Sequence, residues 1–216
     1  MSNASGCDAA PPHLLWNGSE DGRATLVLAH GAGQPMDSPF METVSTGLAT
    51  RGIRVARFEF PYMAKRRIIE RRLAPDRVPV LCETWRRVAE VIDAPILVVG
   101  GKSMGGRIAS MIADEVGAAG LVCLGYPFHP PGKPEKLRTT HLIDLQTEAL
   151  FCQGERDTFG TRTEVNGYSL SAQIRFSWAV DGDHSFKPRK KAGRTLKENL
   201  DEAITDIADF IASLCP

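Results

Sequence analysis

The sequence predicts an α/β protein with a doubly wound, mainly parallel sheet of about seven strands and helices on both faces. Three observations carry this expectation. Strand-like runs alternate with segments of helical period along the chain, and the runs are almost continuously apolar, as strands covered on both faces must be. The third is local: Val98-Val99-Gly100-Gly101-Lys102-Ser103-Met104-Gly105-Gly106-Arg107 reads as a strand that turns sharply at Gly-x-Ser-x-Gly and enters a helix.

The first buried strand is Ala24 to Ala29, ending in His30-Gly31-Ala32-Gly33. Ser38-Pro39 starts a helix with Phe40, Val44 and Leu48 on one face, and Gly52 stops it. A strand over Ile53 to Phe58 follows. From Pro61 to Arg77 the chain is dominated by Lys65, Arg66, Arg67, Arg71, Arg72 and Arg77. This run is expected to be a solvated helical face, with recognition of a substrate carboxylate or phosphate, as on a coenzyme A thioester, the alternative. Leu81, Trp85, Val88 and Ile92 stripe the next helix, and Ile96 to Val99 is the strand leading to Ser103. Met104, Ile108, Ile112 and Val116 mark the helix after it, with a strand at Leu121 to Leu124.

Pro127, Pro130, Pro131 and Pro134 forbid regular structure beyond that strand, leaving a loop with one helical turn near Lys136 to His141 and no large lid. Ala149 to Gln153 is another strand. Ile174, Phe176, Trp178 and Val180 alternate with Arg175, Ser177 and Ala179 in a half-exposed last strand, and Leu196 to Leu214 is an amphipathic helix closing the sheet.

Bulk properties narrow the function. The chain has 216 residues and zero formal net charge, which suits one domain over residues 13–216 and gives no overall pull toward nucleic acid or anionic membrane. Residues 1–12 are expected to be disordered. Cys7, Cys82, Cys123, Cys152 and Cys215 are odd in number and scattered, as reduced thiols of a cytoplasmic protein would be, and no histidine stands near one at zinc-ligand spacing. Met1 to Ala10 lacks a basic and an apolar segment, and no apolar run reaches membrane-spanning length. No metal and no organic cofactor are expected, and the oligomeric state is open.

In the serine turn, Gly101 and Gly105 flank Ser103 because strand and helix approach too closely for a Cβ, and the serine itself takes a strained conformation that exposes its hydroxyl. A serine hydroxyl needs a base to take its proton and a group to hold that base in the right tautomer. Asp157, in Gly154-Glu155-Arg156-Asp157, is the expected orienting acid, with Glu155 its nearest competitor. His184, in Gly182-Asp183-His184-Ser185-Phe186, is the expected base; Asp183 adjoins it but is badly placed to support it. His30, Ser103, Asp157 and His184 all follow predicted strands, so one fold brings them to the same rim. The oxyanion donors are expected to be the N–H of Met104 and that of Ala32, with Gly33 the alternative; loss of one such donor costs about 2.7 to 4 kcal/mol of barrier. His30 is expected to shape its loop by hydrogen bonding. Along with Tyr126, Phe128 and His129 it is also a candidate for the substrate pocket. Two other motifs fail: a P-loop ending in Gly101-Lys102-Ser103 would need glycine where Ile96 stands, and the glycines after the first strand lack dinucleotide-binding spacing.

These residues resemble the α/β-hydrolase superfamily and its small dienelactone-hydrolase-like proteins. More narrowly, Gly100 to Arg107, Gly125-Tyr126-Pro127-Phe128-His129-Pro130 and Lys136-Leu137-Arg138 are similar to the testis-expressed protein 30 and NSL-complex subunit 3 type of α/β-hydrolase-like proteins. The resemblance spans roughly Ala24 to Leu214 and implies a three-layer α/β-hydrolase fold with Ser103, Asp157 and His184 in the triad positions. It implies a serine hydrolase of the carboxylesterase or thioesterase type acting on a small-molecule ester or thioester, or a binding module that keeps the fold without the activity.

Overall fold

Strand β4 (Ile96–Lys102) runs through the middle of a seven-stranded sheet, and it is buried along its last five residues. The computed structural model describes residues 12–215. The expectation of a disordered N-terminus and the expected free thiol of Cys7 fall almost wholly outside these residues.

The sheet order is β1 (Leu14–Asn17), β3 (Arg54–Phe58), β2 (Ala24–Ala29), β4, β5 (Gly120–Leu124), β6 (Ala149–Gly154) and β7 (Ile174–Ala179). Every pair is parallel except β1 with β3. All residues of β2, β5 and β6 are buried, which accounts for their mostly apolar sequence, broken only by Thr25 and Gln153; β7 at the edge alternates and is half-buried. The chain builds outward from β2 to β3, then returns to the other side of β2 for β4. The order of strands therefore reverses between β2 and β4, and ligand sites of open α/β sheets form at such a reversal.

Two apolar layers cover the sheet. Helices α1 (Pro39–Ala49) and α6 (Leu196–Ser213) pack on one face through Met41, Val44, Leu48, Ile204, Ile207 and Ile211. Helices α3 (Val78–Val91) and α4 (Met104–Ile112) cover the other, where Trp85, Val88, Ile108 and Ile112 join Phe58 and Phe151. Helix α2 (Pro61–Ile69) starts within the basic stretch, with Pro61 in its first turn. Thr161 and Glu164 form a capping box for the short α5 (Arg162–Val165), and Thr195 with Glu198 does the same for α6. Val116 lies in turns beyond α4 rather than on its stripe, since the helix ends at Ile112 and Gly117 takes a left-handed conformation.

Between β5 and β6 the proline-rich segment is a loop holding a single 3-10 turn at Thr140–Leu142, so no lid stands over the sheet. Among the described residues no helix is long and apolar enough to cross a membrane. Nor do three His, Cys, Asp or Glu side chains cluster as a metal site there.

Candidate active site

Ser103 sits on the turn from β4 into α4 with φ 52° and ψ −116°, a strained conformation for a residue with a Cβ. Two contacts hold it there. Its N–H donates to the Leu124 carbonyl at 3.0 Å, and its own carbonyl accepts from the N–H of Arg107 at 3.0 Å. The flanking glycines are required by approach: a Cβ on Gly101 would lie 2.5 Å from the Ala29 carbonyl oxygen, and one on Gly105 only 2.3 Å from the same atom.

Two loops bring the partners to this hydroxyl. His184, after β7, places Nε2 2.9 Å from Ser103 Oγ, while its Nδ1 lies 2.7 Å from Asp157 Oδ2 after β6. A carboxylate can only accept, so Nδ1 carries the proton and Nε2 is left to accept from the serine hydroxyl. Asp157 is fully buried, yet its lone pairs are used: Oδ1 accepts from the Phe159 N–H at 2.9 Å, and Oδ2 accepts from Gln153 Nε2 at 2.9 Å. Gln153 is itself locked, its Oε1 accepting from the Tyr126 N–H at 2.7 Å. The ring of Phe159 leans on the imidazole at 4.3 Å between centroids. Glu155 is turned away to Arg162 and the Asp181 N–H. Asp183 caps its own loop through the N–H groups of Ser185 and Lys187.

His30 is buried. The Phe60 N–H donates to its Nε2 at 3.2 Å, so Nδ1 bears the proton and donates to the Gly31 carbonyl at 2.7 Å. Burial holds its pKa below the ordinary histidine value. Tyr62 reaches the same loop, its hydroxyl donating to the Ala32 carbonyl at 3.0 Å.

Two cavities meet at Ser103. One, about 290 Å³, is lined by Ala32, Gly33, Phe40, Met41, Lys102 and His184 among others. The other, about 370 Å³, is bordered by Ala32, Leu81, Met104, Arg107, Arg138 and Phe159. A larger cavity, about 620 Å³, lies between the β1 edge and α2 and reaches none of these residues. Contrary to expectation, His30, Tyr126, Phe128 and His129 line neither cavity at Ser103, and all four are buried elsewhere. Tyr126 and Phe128 pack at 4.8 Å between ring centroids and join Phe151 in the core. His129 Nδ1 contacts the Pro130 carbonyl at 2.9 Å.

Lys102 precedes the serine and is almost fully buried without a carboxylate in ion-pair range; its Nζ donates to the His184 carbonyl at 2.6 Å. Burial pushes its pKa down to about 8, with the Asp157 and Asp183 charges opposing the shift. From about pH 8 to its unfolded value the unfolded chain holds the proton and the folded chain does not, so this group adds stability as pH rises. Urea unfolding should show the wild type gaining up to about 3 kcal/mol on Lys102→Met over that range. A constant difference between the two proteins would remove the assignment.

A doubly wound sheet carrying a serine on a strained strand-to-helix turn, without a lid, is the architecture of the α/β-hydrolase class. Residues 22–212 match the family model described as an alpha/beta hydrolase domain, and the chain belongs to that family. Solved structures share the fold at low identity. XC6422 of Xanthomonas campestris, described as a member of the α/β serine hydrolases without a lid, is 19% identical with a TM-score of 0.67, covering 91% of this chain and 88% of that one. Dienelactone hydrolase of Anabaena variabilis is 18% identical, TM-score 0.65, with 93% and 89% covered. A monoacylglycerol lipase of Paleococcus ferrophilus is 12% identical, TM-score 0.69, with 94% and 99% covered.

Proposed function

We propose that this protein is a serine hydrolase that cleaves a small ester or thioester through an acyl-enzyme on Ser103. The observation that carries the reading is the unbroken relay from Ser103 Oγ to His184 Nε2 at 2.9 Å and from His184 Nδ1 to the buried Asp157 at 2.7 Å. Ser103 Oγ attacks the acyl carbon as its proton passes to Nε2. The tetrahedral intermediate then expels the alcohol or thiol, which takes that proton, and water repeats the sequence to release the acid.

The oxyanion needs two donors in fixed positions. Met104 N–H, at the start of α4, is one. For the second, the Gly31 carbonyl is held by His30 Nδ1, and the peptide to Ala32 is trans, so the Ala32 N–H is directed to the opposite side. Ala32 borders both cavities at Ser103 whereas Gly33 borders one, which favours Ala32 over Gly33. The free thiols of Cys82, Cys123, Cys152 and Cys215 fit a reducing, cytoplasmic setting. The narrower likeness to the testis-expressed protein 30 and NSL-complex subunit 3 type rests on the Gly100 to Arg107 and Gly125 to Pro130 stretches.

Fluorophosphonate labelling tests the nucleophile without assuming a substrate. One adduct is expected on Ser103, absent in Ser103→Ala and formed about 10²-fold more slowly or worse in His184→Ala. Folded protein that takes no label would instead make this chain a binding module.

A further inference from the structure

The cavity on the α4 side of Ser103 is lined by two cations, Arg107 and Arg138, neither of which forms an ion pair among the described residues. Arg107 lies four residues, about one helical turn, beyond Ser103, a rise of about 6 Å, and its guanidinium forms no ion pair within 4.0 Å and no hydrogen bond among the described residues; its Nε is buried without a partner. Arg138 lines the same cavity from the proline-rich loop and is likewise unpaired. Its placement is built in. The Arg138 N–H donates to the Phe128 carbonyl at 2.7 Å, and its carbonyl accepts from the Tyr126 hydroxyl at 2.9 Å, so the buried aromatic pair holds the backbone that carries this guanidinium. Burial and the adjacent Arg107 charge both hold the Arg138 pKa below its ordinary value. Asp76, also at this cavity, accepts from the Tyr62 N–H at 2.9 Å and pairs with neither arginine.

Two like charges facing one partly enclosed space repel each other, and a guanidinium that keeps its donors unused at a cavity wall is suited to a planar or tetrahedral oxyanion. The basic run from Lys65 to Arg77 is a poorer candidate: Arg67 is taken by Glu59 and Asp37, Arg66 donates to the Gly33 carbonyl, and the cavity beside Arg71 and Arg72 does not reach Ser103. We propose that Arg107 and Arg138 form a subsite for an anionic group, a carboxylate or phosphate, on the substrate whose ester or thioester is attacked at Ser103. The inference rests on the hydrolase reading above and narrows its substrates to acyl compounds carrying a second, charged group.

The test separates the two claims. Titrations of the Ser103→Ala protein with glutarate and, separately, methyl phosphate, followed by amide NMR, read the subsite without chemistry at the serine. Saturable shifts around Arg107 and Arg138 are expected for at least one anion, and the tighter of the two assigns the group. Dimethyl glutarate should give none. Arg107→Gln and Arg138→Gln should each raise the apparent Kd at least tenfold, and since each removes one of two repelling cations, neither should lower Tm. In the active protein, the p-nitrophenyl ester of glutarate should exceed that of monomethyl glutarate at least tenfold in kcat/KM, a ratio that Arg138→Gln should lower at least tenfold. Binding of neither anion, or no preference for the charged ester, overturns the subsite even where Ser103 takes the fluorophosphonate. Anion binding at the two arginines with an unlabelled Ser103 overturns the hydrolase reading instead and leaves the subsite standing.

Discussion

Asp157→Asn is expected to lower kcat by about 10⁴-fold while leaving the protein folded, by analogy with the loss when a triad aspartate becomes asparagine elsewhere. The size follows from proton bookkeeping. In the wild type both oxygens of Asp157 accept, from His184 Nδ1–H, Gln153 Nε2 and the Phe159 N–H. An asparagine keeps one acceptor and must aim an NH₂ either at Gln153 and His184 or at the Phe159 N–H. With its oxygen kept by the Phe159 N–H, the amide donates toward Nδ1, and the imidazole takes the tautomer with the proton on Nε2, facing the hydroxyl it should deprotonate. The donor of Gln153 then meets another donor, so a stability loss on the order of 1 to 3 kcal/mol accompanies the kinetic one. Steady-state kinetics with a fluorogenic ester, alongside urea unfolding, separates the effects. A kcat within tenfold of wild type would remove Asp157 from the relay. Gln153→Leu is a milder probe of the same network, with a smaller expected fall in kcat because the tautomer is undisturbed.

The relay was readable in the chain because each part has a local signature: a glycine-flanked serine after an apolar strand, and two short acid- or histidine-bearing loops after later strands. The buried strands were readable for a similar reason, since β2, β5 and β6 are covered on both faces and are apolar apart from Thr25 and Gln153. Other elements are less plainly written. The edge strand β1 spans four residues, too few for a period, whereas α2 falls where a helical face is expected but ends at Ile69, short of the end of the basic run at Arg77. For α5 the signal was present in Thr161-Arg162-Thr163-Glu164, a capping box that announces a helix start. Gln153 escaped because a buried polar residue within an apolar strand looks like a defect until the loop it supports is in place.

The pocket residues show a different limit. Tyr126 and Phe128 lie in the loop that follows the strand next to the elbow, and from sequence that nearness suggests they face the substrate. Nearness along the chain does not set direction. Their rings enter the aromatic cluster with Phe151, and the loop instead directs Arg138 to the cavity. Arg107 carries no signature in the sequence, since an arginine one turn into an amphipathic helix is ordinarily solvated; its place at the cavity beside Ser103 and its buried, partnerless Nε distinguish it.

Gly105→Ala is expected to damage both the fold and the serine turn with a single methyl. Its Cβ would stand 2.3 Å from the Ala29 oxygen, 2.7 Å from the Ala29 carbonyl carbon and 2.7 Å from the His30 oxygen. All three are backbone atoms at the end of a central strand, bonded on one side to β3 and on the other to β4, so none can turn aside as a side chain would. Helix propensity favours alanine over glycine by roughly 1 kcal/mol, whereas overpacking against fixed atoms costs about 3 kcal/mol or more, so the clash wins by at least about 2 kcal/mol. For a chain of this size that is a fall in Tm of about 4 to 8 °C. Gly33→Ala is the control for stability, since a Cβ there meets nothing within 4 Å. If the fold yields by moving α4 away from β2, the Met104 N–H moves with it relative to the His30 to Gly33 loop, and displacement of about 1 Å is enough for a 10²-fold loss in kcat. A Gly105→Ala protein with wild-type Tm and activity would show that strand and helix do not approach as closely as the elbow requires. A lowered Tm with an equally lowered labelling rate at Ser103 would tie the strain of the turn directly to the reactivity of the serine.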